Sequence, residues 1–208
     1  MDLGSGDGRI AIAAAKRGAR ALGVDIDPMR IQDAEDNARH ARVQDRARFR
    51  QQDLFETRLS DATVLTMFLL SKVNLALRPR ILDECKPGTR VVSHAFDMGD
   101  WKPDFHTKIG HRHLFMWIVP AKVAGRWRVE AGGRIFDLTL RQKLQHITGA
   151  GFEVGGARVE VENGWMLGAR IRLVLSDGTR FDGCVKSRHM GSSPDDGKAP
   201  AWKGVQQT

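Results

Sequence analysis

The segment Asp2-Leu3-Gly4-Ser5-Gly6-Asp7-Gly8 sets three alternate glycines among acids, and an alanine-rich run from Arg9 to Lys16 and then Gly23-Val24-Asp25 follow it. The order is strand, glycine loop, helix, strand, carboxylate, which is the nucleotide-binding half of an open parallel sheet. Glycines let a backbone pass close under a ligand, and the helix start behind them leaves amide donors free. A diphosphate suits such amides, yet Asp2 and Asp7 put two negative charges where it would lie. The glycines also fall as G-x-G-x-G and not as the G-x-G-x-x-G of dinucleotide sites. A ligand with a cationic end fits this loop better; a bare strand-to-helix turn is the alternative reading.

S-adenosylmethionine carries an ammonium, a sulfonium and a carboxylate. Asp2 is expected to face the ammonium, the loop amides at Gly4, Gly6 and Gly8 to take the carboxylate, and Asp25 to hold both ribose hydroxyls. With these residues in place, the chain resembles the class I S-adenosylmethionine-dependent methyltransferases over about residues 1 to 122. Phe49-Arg50-Gln51-Gln52-Asp53-Leu54-Phe55 is similar to the segment after the family's third strand. That similarity implies that Asp53 binds the adenine amino group, with Leu54 beside it in the cofactor-binding set. Ala62 to Leu70 and Thr89 to His94 look like the fourth and fifth strands. The phrases Asp61-Ala62-Thr63-Val64, Asn74-Leu75-Ala76-Leu77-Arg78-Pro79 and Phe96-Asp97-Met98-Gly99-Asp100-Trp101 resemble a bacterial subgroup related to the lysine methyltransferases of the ATP synthase c-subunit. The resemblance implies methyl transfer from S-adenosylmethionine to an acceptor, with a protein lysine favoured. Methylation of RNA or a small molecule by the same core, and a cofactor-binding module without catalysis, are the alternatives.

Methyl transfer is an in-line displacement at a carbon already activated by the sulfonium, so a protein mainly aligns the nucleophile and excludes water. A lysine ammonium must also lose a proton, which calls for a base. Sheets of this type build their sites at the C-terminal ends of strands. The candidates are Asp61 before the fourth strand and His94, Asp97 and Asp100 after the fifth. Asp97 and Asp100 could instead cap the Met98-Gly99 turn, and His94 could be a satisfied, half-buried histidine. The Asn/Asp-Pro-Pro-Tyr/Phe clamp of enzymes that methylate amides and exocyclic amines is missing, because Thr66-Met67-Phe68-Leu69 stands in its place. The chain has no Tyr, so a phenolic base is excluded. Phe68 and Ser71 stand where the subgroup tends to carry Tyr and Pro, and Phe68 remains able to stack on a methyl donor or a lysine stem. His106, His111 and His113 lie within eight residues, beside Lys108 and Arg112. No Cys or acid accompanies them at ligand spacing, so they read as a polar loop anchored by Trp101-Lys102-Pro103, and no metal is expected.

At 208 residues, 41% of them hydrophobic, the chain can build one good core or a core with an appendage. It has no run of apolar residues long enough to span a bilayer and no secretion signal, so a cytoplasmic location is expected. Cys85 and Cys184 are far apart and lack metal spacing, which marks them as reduced structural thiols. The net charge of +8 invites a nucleic-acid reading. Residues 1 to 60, however, hold 11 basic and 10 acidic side chains, and residues 126 to 190 hold 11 and 7, so the excess is spread out. Arg39, Arg42, Arg46, Arg48 and Arg50 come closest to a patch, but Asp36 and Asp45 interleave with them, and an ordinary solvated face is expected. A nucleic-acid partner stays open without being favoured, an acidic protein would be attracted equally well, and the oligomeric state does not follow from composition.

The fold expected is α/β: a Rossmann-like class I methyltransferase sheet, N-terminally truncated, followed by an antiparallel β extension. Gly18 ends the first helix and Pro28 starts a second through Ala34, Ala38 and Ala41, which gives the doubly wound rhythm. Class I folds place a hydrophobic strand and helices ahead of the glycine loop, whereas here the loop begins at residue 2. A start assigned too late is the favoured explanation, ahead of a fragment or a compromised product. After Pro120 the pattern alternates apolar and polar residues, as in Arg134 to Leu140 and Ala169 to Leu175, with a hairpin turn at Ser176-Asp177-Gly178-Thr179. The expected domains are 1-122, a cofactor-binding core; 123-190, the β extension; and 191-208, a mobile tail.

Overall fold

The structure, a computed structural model, describes residues 1–192 and 201–207. The chain divides into two units, Met1–Val119 and Pro120–Thr208, so the boundary falls at Pro120, three residues ahead of the expected one.

In the first unit, β1 (Asp2–Leu3), β2 (Ala21–Asp25), β3 (Ala47–Gln51), β4 (Val64–Met67) and β5 (Arg90–His94) form a parallel sheet. Helices α1 (Arg9–Lys16), α2 (Pro28–His40) and α3 (Ser71–Glu84) connect or follow these strands. Two antiparallel strands, β6 (Phe105–Ile109) and β7 (Arg112–Ile118), complete the order β3-β2-β1-β4-β5-β7-β6. Alanines give α1 and α2 a low profile, and Ala11, Ala15, Ala34 and Ala38 pack against Ala47 and Phe49 of β3. Asp27 caps α2 by accepting from the Met29 amide at 2.9 Å, and Pro28 occupies the first turn where its missing N–H costs nothing. On the α3 side, Leu77 and Ile81 are fully buried.

The central strand is two residues long, in line with the sequence expectation. It is nonetheless paired on both edges: Asp2 lies opposite Gly23 and Thr66, and Leu3 opposite Val24 and Met67. The hairpin of β6 and β7 replaces the expected polar loop at His106, His111 and His113. Gly110, in the left-handed region at φ 60°, makes its turn. His106 and His113 face each other across the pair with Nε2 and Nδ1 2.7 Å apart, and both rings stack on Phe115. Among the described residues no cluster of three or more His, Cys, Asp or Glu is placed to hold a metal ion.

The second unit is a closed antiparallel barrel. Its strands are β8 (Gly125–Ala131), β9 (Arg134–Lys143), β10 (His146–Glu153), β11 (Arg158–Leu167), β12 (Arg170–Leu175), β13 (Arg180–Lys186), β14 (His189–Gly191) and β15 (Trp202–Gln206). They follow one another around the ring, and β15 returns to pair with β8. The alternation seen in the sequence sorts the side chains: Trp127, Phe136, Leu138, Met166, Leu173 and Phe181 fill the interior. Ion pairs such as Arg128–Asp137 and Arg172–Asp182 lie outside, the reverse of what a lipid-facing barrel requires. Close coiling needs glycine where strands approach. A Cβ on Gly151 would fall 1.9 Å from the Asp137 carbonyl oxygen, and one on Gly183 2.0 Å from that of Gly191.

Where residues 191–207 are described, the expected mobile tail gives way to strand. Gly191 closes β14, and Trp202–Gln206 form the strand that seals the barrel, with Trp202 packed edge-to-face on Phe181 at 5.2 Å. The polar composition of this stretch hid a single alternating pair, Trp202 and Gly204, both buried. Residues 193–200 and 208 lie outside the described residues. Replacing Trp202 with Ala is expected to cost the second unit about 3–5 kcal/mol in a denaturant titration, as for other buried tryptophans. A loose tail would give a change below about 0.5 kcal/mol.

Candidate functional site

The glycine loop sits at the C-terminal edge of the sheet. Gly4, Gly6 and Gly8 have φ of 72°, 51° and 79°, a left-handed conformation that disfavours any residue with a Cβ. The amides of Gly4 and Ser5 both donate to the Val24 carbonyl at 2.9 Å, and the Gly6 amide donates to Asp25 Oδ2 at 2.8 Å. The loop is thus strapped to the end of β2. A Cβ at Gly6 would meet nothing within 4 Å, so the loop is open there, whereas one at Gly8 would strike the Phe49 ring at 2.6 Å. Gly8 is also the N-cap of α1 and offers no side chain to the first turn, where the Arg9 amide donates to Asp7 Oδ1 at 3.3 Å.

Two acids bear on this loop. Asp2 is 4% exposed, and its Oδ1 accepts from the Thr66 hydroxyl at 2.6 Å. Burial pushes its pKa up from 3.8 to about 6, against the pull of the Thr66 hydrogen bond and the Met1 ammonium, while the Asp25 charge adds to the rise. Asp25 accepts from the amides of Gly6 and Asp27 and keeps lone pairs for further donors. Asp7 does not join them, contrary to the sequence expectation. Its carboxylate is clamped by Arg9, with Nε to Oδ1 at 2.9 Å and Nη2 to Oδ2 at 2.6 Å, and that hydrogen-bonded pair holds its pKa below the usual range. The local pairing of residues 7 and 9 is a side-chain choice that periodicity does not reveal.

Asp53 and Leu54 lie where β3 leads out of the sheet, beside Asp25: the Gln52 amide donates to the Asp25 carbonyl at 2.9 Å. Asp53 Oδ1 accepts from the Phe55 amide at 2.8 Å, closing a turn, and Arg80 of α3 braces that turn by donating to the carbonyls of Leu54, Phe55 and Thr57. The sequence reading missed Ile26 and Met29, large apolar side chains left 69% and 75% exposed next to Asp25. An apolar residue directly after the strand-ending acid was the available signal.

The four residues proposed for catalysis are not brought together. His94, at the end of β5, packs edge-on against Phe68, with ring centroids 4.4 Å apart. Phe68 follows the last residue of β4, its neighbour Leu69 lies over Gly4, and the Arg112 guanidinium stands 6.0 Å over its ring. Asp97 accepts from the Gly99 amide at 3.0 Å and so caps its own turn. Asp100 is engaged by Arg78 at 2.5 Å. Asp61 precedes β4 and therefore lies at the opposite edge of the sheet, exposed and paired with Arg58 at 3.4 Å. Beneath this edge Asn74 is fully buried and donates to Ser93 Oγ and to the carbonyls of Phe96 and Asp97, which fixes the chain after β5.

A parallel sheet with one antiparallel excursion, a glycine loop after its central strand and an acid at the end of the next define the class I methyltransferase architecture. The chain belongs to the family described as the ANTKMT methyltransferase domain, whose model matches residues 2–105. A protein-lysine N-methyltransferase of Saccharolobus islandicus (strain REY15A) is 49% identical over 104 residues, covering 49% of this chain and 65% of that protein. The human lysine N-methyltransferase of the ATP synthase c-subunit is 33% identical over 110 residues, covering 53% of this chain and 47% of that protein. The solved structure of an RNA methyltransferase from Salinibacter ruber in complex with S-adenosyl-L-homocysteine is 49% identical with a TM-score of 0.57, covering 59% of this chain and 80% of that one. The match thus spans between about half and two thirds of the two curated relatives' lengths.

Because folded Asp2 holds its proton more tightly than the unfolded chain, its contribution to stability falls as the pH rises from 3.8 through about 6 and is level above. The difference of 2.2 units corresponds to about 3 kcal/mol. Asp2→Asn is expected to raise the urea midpoint at pH 7.5 and to leave it unchanged near pH 3.5.

Proposed function

We propose that this chain binds S-adenosylmethionine on the glycine loop and transfers its methyl group to a protein lysine. The observation that carries the cofactor is the negative potential at the loop: a buried Asp2 carboxylate with one neutral partner, and Asp25 close enough to raise its pKa further. A diphosphate would be repelled there, and a ligand with an ammonium and a sulfonium relieves the cost of the buried charge. The residues fit the group: Gly6 leaves space for close approach, Asp25 retains acceptor capacity for ribose hydroxyls, Asp53 is placed for the adenine amino group, and Leu54 and Ile26 supply apolar walls. When bound, the cofactor supplies an electrophilic methyl carbon.

The protein's share is positioning and desolvation. Phe68 and Leu69 form the side of the site next to Gly4, and the Phe68 ring offers an apolar face to a lysine stem. With Asp61 at the far edge, Asp97 in its turn and Asp100 held by Arg78, the position of His94 at the end of β5 supports it as the base for the proton that the lysine ammonium must lose. The protein-lysine acceptor is supported by the names of the two curated relatives and by the family match. The name of the Salinibacter ruber protein favours a second reading, an RNA acceptor. Cys85 and Cys184 form no disulfide, in keeping with a reducing, cytoplasmic setting.

Calorimetric titration with S-adenosylhomocysteine is expected to show binding, weakened at least about 10-fold in Asp25→Ala by the loss of charge-assisted hydrogen bonds. Radiolabelled donor incubated with fractionated cell extract is expected to mark protein; label confined to RNA would establish the second reading instead. His94→Ala is expected to lower kcat about 100-fold with little change in KM, and activity should partly return at high pH where lysine deprotonates unaided.

A further inference from the structure

β3 ends the sheet, so one edge of Ala47–Gln51 has no partner strand among the described residues. Its buried residues, Ala47 and Phe49, face α1 and α2. The alternate residues Arg46, Arg48 and Arg50 are exposed and project from the other face. Arg20, ahead of β2, joins them: Leu22 pairs with Arg48 and Val24 with Arg50, so the residues before each strand fall side by side. The four arginines line one cleft of about 440 Å³ with Asp45 as its acid, and Arg48 and Arg50 also line a second cleft of about 730 Å³ along the same strand. None of the four guanidinium groups is joined by a hydrogen bond or ion pair to another side chain among the described residues. Like charges side by side on a sheet face repel, so this ladder lacks the compensation that the barrel's exterior arginines have.

We propose that this edge docks an extended, acidic segment of a protein partner, added as a strand beside β3. A strand lying there repeats its side chains every second residue, about 6.6 Å, which is the spacing of Arg46, Arg48 and Arg50. Carboxylates at that period meet each guanidinium in turn, while main-chain hydrogen bonds satisfy the open edge. A second copy of this chain is the wrong occupant, because its own β3 would set arginine against arginine. A single-stranded nucleic acid would use exposed aromatic faces for its bases, and the one aromatic residue lining the clefts, Phe49, is buried. The surface is separate from the glycine loop and does not depend on the nature of the methyl acceptor.

The test uses the full chain and three fluorescent probes: a short peptide alternating Glu with Val, the same peptide with Lys in place of Glu, and an oligouridylate. Fluorescence anisotropy is expected to show binding of the Glu peptide alone, weakened about 10-fold or more at high salt. Arg46→Glu combined with Arg48→Glu should abolish it, while calorimetric affinity for S-adenosylhomocysteine and the unfolding midpoint stay unchanged. Hydrogen exchange at Phe49 and Gln51 should slow only with the Glu peptide present, since the Ala47 amide already donates to the Val43 carbonyl. Absence of Glu-peptide binding, equal binding of the Lys peptide, or tighter binding of the oligouridylate each overturns the proposal. Self-association of the double variant without any peptide binding by the parent would reduce the ladder to a guard against edge pairing and overturn it as well.

Discussion

A carboxylate held out of water at the root of a glycine loop organises the first unit. Asp2 belongs to a strand of only two residues, yet that strand is clasped from both sides, by Gly23 and Val24 and by Thr66 and Met67. The clasp brings the loop to the edge where β2 ends in Asp25, whose oxygens then receive the Gly6 and Asp27 amides. Backbone donors that would otherwise point at an anion are in part committed to Asp25, and the remaining field near the loop is negative. Positive charge on the ligand is the physical complement of that arrangement.

The chain after β5 obeys a different constraint. The chain after β5 is pinned from below by Asn74, and the turn at Met98 and Gly99 is held by Asp97 and by Arg78, which also donates to the Met98 carbonyl at 2.8 Å. Acids that look available in a sequence are therefore spent on shape. What is left facing the edge is aromatic and cationic: Phe68, His94 and Arg112.

Much of this is legible in the sequence because it is local. The glycine loop, the end of α1 before Gly18 and the start of α2 at Pro28 depend on residues close in sequence, and the helices lie where the pattern put them. The alternation after Pro120 announces strands but not that they close, since closure depends on β15 meeting β8 across most of the unit. Asp7 misleads because a neighbour two residues away, Arg9, takes its charge. Asp61 misleads because proximity to a strand in sequence does not say which end of the sheet it occupies. The β6–β7 hairpin is hidden by its histidines, of which His106 and His113 pair with one another and stack on Phe115.

The ring of strands in the second unit also has a temporal consequence. Its first strand hydrogen-bonds to its last, Trp202 opposite Ala131 and Gln206 opposite Trp127, so the seam joins the parts of this unit that are synthesised earliest and latest. Until Trp202 emerges, the ring cannot close over the interior that Trp127, Phe136 and Phe181 share. Closure of the ring therefore waits for the last strand to emerge. That last pairing is a contact of long sequence separation, whereas every other pairing in the ring joins consecutive strands.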